Sequence, residues 1–201
     1  MKLDIALKEW NLTCNALLNG SQAILLRKGG ILDSGNHFEL EHSNFWLFPT
    51  YIHQDPDMVK PAFRAGLTQV REEPAVVHIA GYGRVSSIHA IPSRKAMDQL
   101  RDLHLWSEAL IDMRFNYRPE KPLYLVIVRA FRLATPITLA NTLAYAGCKS
   151  WIPLDEPLEV LANLTPALSD AQLAVVTQRV LAALQSGVGS AANPDPMKFG
   201  A

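Results

Sequence analysis

The sequence carries little of what usually declares a chemistry. Only two cysteines, Cys14 and Cys148, occur in 201 residues. A lone pair so far apart reads as two buried free thiols rather than a bridge. An excess of one charge sign is missing as well, because 19 Lys and Arg balance 19 Asp and Glu. That balance excludes a protein holding nucleic acid mainly through a bulk positive field. No apolar run approaches the roughly 20 residues that cross a bilayer, and the opening MKLDIALKEW has no signal-peptide core. A cytoplasmic protein without membrane contact is expected. No P-loop, GxGxxG turn or nucleophile elbow occurs, so no cofactor is called for and the catalytic residues, if any, stay unknown.

What is present is ordinary globular material. Hydrophobic residues make up 49% of the chain and charged residues 19%, enough to bury one sizeable core. From Ile152 onward Asp155, Glu156, Glu159, Asp170 and Asp195 outnumber Arg179 and Lys198, leaving a mildly basic body and an acidic tail. The stretch 23–54, AILLRKGGILDSGNHFELEHSNFWLFPTYIHQ, holds the densest mixture of strand-type residues, charges, histidines and aromatics.

In chain order, Leu3, Leu7, Trp10, Cys14 and Leu17 recur at helical spacing, so the opening reads as an amphipathic helix stopped by Asn19-Gly20, with Glu9 on or beside its exposed face. Residues 23–26 form a buried strand that runs into the Arg27-Lys28-Gly29-Gly30 turn. Residues 37–41 and 45–48 look like a hairpin ended by Pro49. A helical segment follows Asp55-Pro56, and 76–91 reads as one long bulged strand around Gly81-Tyr82-Gly83. Residues 93–115 are helical in pattern with a break near 102–104, and 123–133 is the clearest strand, central and ended by Pro136. Residues 146–152 give a last short strand. Ser169-Asp170-Ala171-Gln172 is a capping box for a helix to about Leu184. The order implies an α+β fold: 1–154 a single domain, 155–185 a C-terminal helical extension and 186–201 a disordered tail.

Several constellations invite chemistry. Arg27-Lys28-Gly29-Gly30 has the composition to cradle a phosphate, glycines admitting backbone N–H groups and the cations neutralising charge. His37, Glu39, Glu41, His42 and His53 lie close in sequence, yet strand alternation puts His37, Glu39 and Glu41 on one face and His42 on the other, so no metal is assigned. A restriction-type nuclease core needs a lysine after its acids; Asp33 with Glu39-Leu40-Glu41 has none. Cys148 lies beside the cation of Lys149 with no histidine placed near it in sequence. Trp46, Phe48 and Tyr51 precede His53-Gln54, and Trp151 follows Lys149-Ser150. Aromatic faces beside polar groups suit base stacking and base-edge reading. Trp10, Phe45 and Trp106 read as core.

Taken together, Leu7-Lys8-Glu9-Trp10, Leu25-Leu26-Arg27-Lys28-Gly29-Gly30-Ile31, Phe38-Glu39, Glu41-His42, Phe45-Trp46-Leu47-Phe48-Pro49-Thr50, His53-Gln54, Arg114-Phe115 and Gly147-Cys148-Lys149-Ser150-Trp151 resemble a bacterial and cyanobacterial family known only as domain of unknown function 1802, over roughly 3–154. Relatives joined to Mrr-type restriction nuclease domains imply a part in restriction or defence, with a nuclease as possible partner protein. The element order also looks like the PUA-like barrels of ASCH and EVE domains, which bind RNA or modified bases. That likeness implies a mainly antiparallel, partly closed sheet with packed helices.

The expected function is a nucleic-acid or nucleotide binding module. In it Arg27, Lys28 and Lys149 hold phosphate beside Gly29, Gly30 and Ser150. Trp46 or Trp151 stacks a base, and Glu39, Glu41, His42, His53 and Gln54 read polar edges. The alternatives are a metal-dependent hydrolase or nuclease using the same carboxylates and histidines, and a protein-interaction subunit docking through its acidic C-terminal helix.

Overall fold

The computed structural model describes residues 2–28, 31–33, 38–68, 70–147, 149–160 and 164–187, with the side chains of 31–33, 38 and 39 set aside. Gly29, Gly30, His37, Cys148 and the stretch 188–201 lie outside the described residues.

The first element departs from the sequence reading. Residues Lys2–Trp10 are a strand, β1, and only Asn11–Asn19 are helical, α1. Apolar residues at three- and four-residue spacing fit a helix, but Ile5 and Leu7 also alternate with Ala6, which faces the other way. Pairing decides the matter. β1 runs parallel to β5 (Asn44–Thr50) and antiparallel to β8 (Trp151–Glu159), so its backbone groups are taken on both edges. The expected Asn19-Gly20 stop holds: Gly20 takes φ 79° and donates its N–H to the Leu17 carbonyl.

β2 (Ile24–Arg27) pairs with β7, and β3 (Ile31–Asp33) pairs with β4 (Phe38–Leu40) in a separate two-stranded sheet. The expected hairpin of 37–41 with 45–48 is therefore not formed. β4 turns back on β3, while β5 goes to β1 and to β6. Pro49 does not end β5; it stands opposite Glu9 of β1, and the strand runs on to Thr50. The segment after Asp55 is two 3₁₀ turns, Pro56–Met58 and Pro61–Gly66, each opened by its proline.

β6 (Val76–Ala90) is one long strand, with register shifts between Ile79 and Gly81 and between Val85 and Ser87. α1 crosses it closely: a Cβ on Gly81 would stand 2.2 Å from the Phe131 carbonyl oxygen and 2.4 Å from Leu18 Cδ2. β7 (Tyr124–Ala140) continues past Pro136, because residues 133–136 bulge out opposite Ala80 alone and free the proline of a ladder bond. Residues 93–115 do break, into α2 (Arg94–Asp98), a 3₁₀ turn and α3 (Glu108–Asn116).

The large sheet runs β2-β7-β6-β5-β1-β8, with β9 (Thr165–Pro166) on β7. Its end strands, β2 and β8, do not pair among the described residues, so it is open rather than a closed barrel, and all its pairings but β1 with β5 are antiparallel. Three apolar clusters hold it: helices against β2 and β7, α1 against the inner face, and Trp46, Phe48 and Tyr145 on the outer face of β5. The expected last strand over 146–152 is displaced: β8 begins only at Trp151 and runs on to Glu159. α4 (Asp170–Gly187) packs Leu173, Val180 and Leu184 into the first cluster and ends two residues inside the stretch expected as tail.

The capping box of α4 forms as read. Ser169 Oγ accepts from the Gln172 N–H at 3.3 Å, and Gln172 Oε1 accepts from the Ser169 N–H at 2.9 Å. Ser169→Ala should therefore cost about 1 kcal/mol in urea unfolding; an unchanged midpoint and slope would show that this cap contributes nothing.

Candidate functional site

Strand alternation aims Arg27 at the inner face. It follows Leu25 on β2 by two residues, so it shares the side turned to the cluster around Leu7, Phe45 and Leu47 rather than the helix-covered side of Ile24 and Leu26. On β1, Glu9 follows Ile5 and Leu7 on that same side. β8 opens opposite Leu7 with Trp151. Three strand ends thus converge on one polar group set into an apolar rim.

Within it, Arg27 Nη1 lies 3.5 Å from Glu9 Oε1, and the two side chains are only 13% and 19% exposed. The same Nη1 donates to Ser150 Oγ at 3.4 Å, and the guanidinium carbon is 5.8 Å from the Trp151 ring centroid. Trp151 meets the His42 ring at 5.1 Å and Phe45 at 5.3 Å, both edge-on. Glu41 Oε1 stands 3.8 Å from His42 Nε2, which makes an ion pair when the ring is protonated. Two donors are left over: among the described residues, Arg27 Nη2 and Arg114 Nε are buried without a hydrogen-bond partner.

The electrostatics follow from that count. Burial pushes the Arg27 guanidinium below its ordinary pKa, Glu9 opposes the shift and Arg114 adds to it. Among the described residues, Glu9 faces Arg27, Arg114 adds a second positive charge acting on it, and the two N–H groups named above have no acceptor. Each such buried donor costs about 1–3 kcal/mol until an acceptor arrives.

Sequence-predicted residues divide clearly. Arg27, His42, Ser150 and Trp151 come together. Lys28 sits next to them, but its ammonium donates to the Arg114 and Phe115 carbonyls at 2.9 Å each, closing the C-terminal end of α3 and fixing Arg114 in place. Glu41 and Lys149 are exposed at the edge. Glu39 lies on β4 opposite Leu32, its side chain outside the described residues.

Others have structural work. Trp46 is fully buried and its Nε1 donates to the Leu3 carbonyl at 2.9 Å, so no external base reaches it. Gln54 is buried, accepting from the Leu12 N–H at 3.3 Å and donating to the Thr68 carbonyl at 3.0 Å, which fastens the start of α1. His53 is an exposed turn residue with φ 67°.

Glu9 and Arg114 are the residues that sequence reading missed. Glu9 became legible once 2–10 is a strand, as the acid ending the Ile5-Leu7 face. Arg114 enters the sequence reading as part of Arg114-Phe115 but not as a site residue, because its place depends on Lys28, 86 residues away. Cys14 is a buried free thiol whose pKa is raised well above the ordinary value by burial and then by Glu9, an unreactive state. Among the described residues no three of His, Cys, Asp and Glu are grouped to hold a metal ion. No described helix is long and apolar enough to cross a membrane.

No curated protein sequence matches the chain. Three solved structures overlap its course. ASCH from Zymomonas mobilis aligns at 12% identity and TM-score 0.40 over 89% of this chain and 93% of that one. Two single-substitution variants of the same protein align at 13% and 14% identity, with TM-scores of 0.38 and 0.37, over 89% of this chain and 94% and 96% of theirs. A family model described as a domain of unknown function (DUF1802) matches residues 6–179, from β1 into α4, and the chain belongs to that family.

Proposed function

We propose that the protein is a nucleic-acid or nucleotide binding module whose ligand enters the Arg27–Trp151 cluster. One observation carries this reading: among the described residues, buried guanidinium donors on Arg27 and Arg114 stand unpartnered, and the Arg27 guanidinium lies against the Trp151 ring. A phosphate oxygen satisfies both the donors and the charge, and an unpaired base next to it finds the rings of Trp151 and His42. Ser150, held to Arg27, lines the same wall. The open, mainly antiparallel sheet wrapped on α1 suits a PUA-like barrel with one seam unclosed. A module of this kind supplies recognition, and a nuclease partner in a restriction or defence system would supply cleavage.

The test is titration of a labelled single-stranded oligonucleotide at two salt concentrations. Arg27→Gln should weaken binding about tenfold, equivalent to roughly 1.4 kcal/mol for a charged hydrogen bond, and flatten the log–log salt slope by about 0.7. Trp151→Ala should weaken binding comparably without altering that slope. Circular dichroism checks that each variant is folded. Wild-type affinity and slope in folded Arg27→Gln would remove the site.

A further inference from the structure

On the outer face of the sheet two cations interrupt the apolar layer. Along β7, Leu125 and Ile127 lie in the helix-covered first cluster, and Phe131 packs into the third, with Trp46 and Tyr82. Arg129 stands between them, on the same side by strand alternation. Its register partner on β6 is Arg84, and the next pair on that face is Tyr82 with Phe131. The Tyr82 and Phe131 rings stack at 4.8 Å and 9°, and the guanidinium carbons of Arg84 and Arg129 lie 5.7 Å and 5.5 Å from the Phe131 centroid. Both charges are thus gathered over one ring, on cross-strand partners whose Cβ atoms are about 5 Å apart, where like charges repel.

Little within the protein offsets that repulsion. Asp170, the first residue of α4, pairs with Arg129 Nη1, but its side chain is 84% exposed and the pair is weakly held. Among the described residues Arg84 is exposed and forms no ion pair, and Arg129 Nε is buried without an acceptor. A phosphomonoester carries about −1.5 to −2 charge near neutral pH and three acceptor oxygens. It matches both cations once it displaces Asp170, and guanidinium forks take phosphate through paired N–H groups. A carboxylate or a phosphodiester brings a single negative charge, no more than Asp170 already supplies. Arg27, opposite Tyr124 on β7, belongs to the inner face, so the two sites take separate ligands.

We propose that Arg84 and Arg129 form an anion site of their own on the outer face, which takes a phosphomonoester, with Asp170 holding its place in the free protein. This site stands whether or not the Arg27 cluster binds nucleic acid. Inorganic phosphate is the probe, and the NMR signal of Arg129 Nε–H, identified by its loss in Arg129→Lys, is the readout. Phosphate added at constant ionic strength should shift that signal along a saturable curve, in wild-type protein and equally in Arg27→Gln. Arg84→Ala should raise the half-saturating concentration about tenfold, the worth of one charged hydrogen bond. Asp170→Asn should lower it about threefold, the worth of one exposed ion pair. A carboxylate that only braced α4 would give no such gain. The absence of a saturable shift in wild-type protein overturns the site, as do unchanged curves in both folded variants. Loss of the shift in Arg27→Gln overturns it too, since the signal would then report the inner face. An oligonucleotide without terminal phosphates that moves the signal where inorganic phosphate does not would overturn the phosphomonoester.

Discussion

Glu9→Gln is expected to lower the free energy of unfolding by about 2 kcal/mol and, at the same time, to raise affinity for a single-stranded oligonucleotide. The two effects have one cause. Glu9 is the carboxylate that faces Arg27 at 3.5 Å, with both side chains largely buried, and Arg114 repels the same guanidinium. Removing one partner of a fully buried pair costs about 3–5 kcal/mol because a charge is stranded. The residual 13% and 19% exposure and the long separation reduce that figure here. The glutamine keeps the shape, so no cavity confuses the result. With the carboxylate gone, an incoming phosphate meets an Arg27 guanidinium no longer offset by Glu9 and is held more tightly. Urea unfolding and anisotropy titration read the two quantities, and added inorganic phosphate should restore part of the lost stability. A variant as stable as wild type, or one that binds the oligonucleotide less well, would contradict the account of Glu9 as counter-ion to the site.

The same residue shows why part of this protein could be read from its sequence and part could not. Elements whose sequence and pairing agree are legible: β6 with its glycine bulge, β7 with its doubly apolar centre, the divided helix over 93–115 and the reciprocal cap of α4. β1 is not legible, because five apolar residues at helical spacing outweigh a short alternation until β5 and β8 supply neighbours on both edges. Pro49 and Pro136 were expected to stop strands and do not. Pro49 remains in the β1–β5 ladder, and Pro136 lies in the bulge beside Ala80.

The candidate site follows the same division. Arg27 at a strand end and Trp151 beside Ser150 announce themselves by residue type and place. Their counter-charge and their second cation do not, since Glu9 depends on the strand reading of β1 and Arg114 on a helix end closed by Lys28. Histidines crowded in sequence were the weakest guide. His42 reaches the cluster, His53 faces outward in its turn, and His104, which no motif includes, is the most perturbed of the described histidines.

His104 leads to a strong pH dependence of stability. Its ring is 4% exposed and stacks on Trp106 at 5.3 Å. The Lys60 ammonium stands 3.4 Å from Nδ1 and also donates to the carbonyls of Arg101 and His104. A cation against Nδ1 makes that nitrogen the acceptor, so the native ring is neutral. Burial, then Lys60, with the Trp106 backbone hydrogen bond and Asp102 opposing and Arg94 adding, brings its pKa from 6.5 down to about 3. The folded value is depressed, so between pH 6.5 and about 3 the unfolded chain binds a proton that the native protein refuses. Stability is therefore unaffected by this group above pH 6.5 and falls with pH below it, by about 1.4 kcal/mol per unit, or roughly 3 kcal/mol at pH 4.5. Urea unfolding at pH 7.5 and 4.5 should show that loss in the wild-type protein. His104→Phe keeps the ring on Trp106 and cannot titrate, so it should lose about 3 kcal/mol less over the same interval, whatever the carboxylates contribute to both proteins. Equal losses in the two would mean that His104 takes up its proton in the native state, and that the Lys60 contact does not hold the ring neutral.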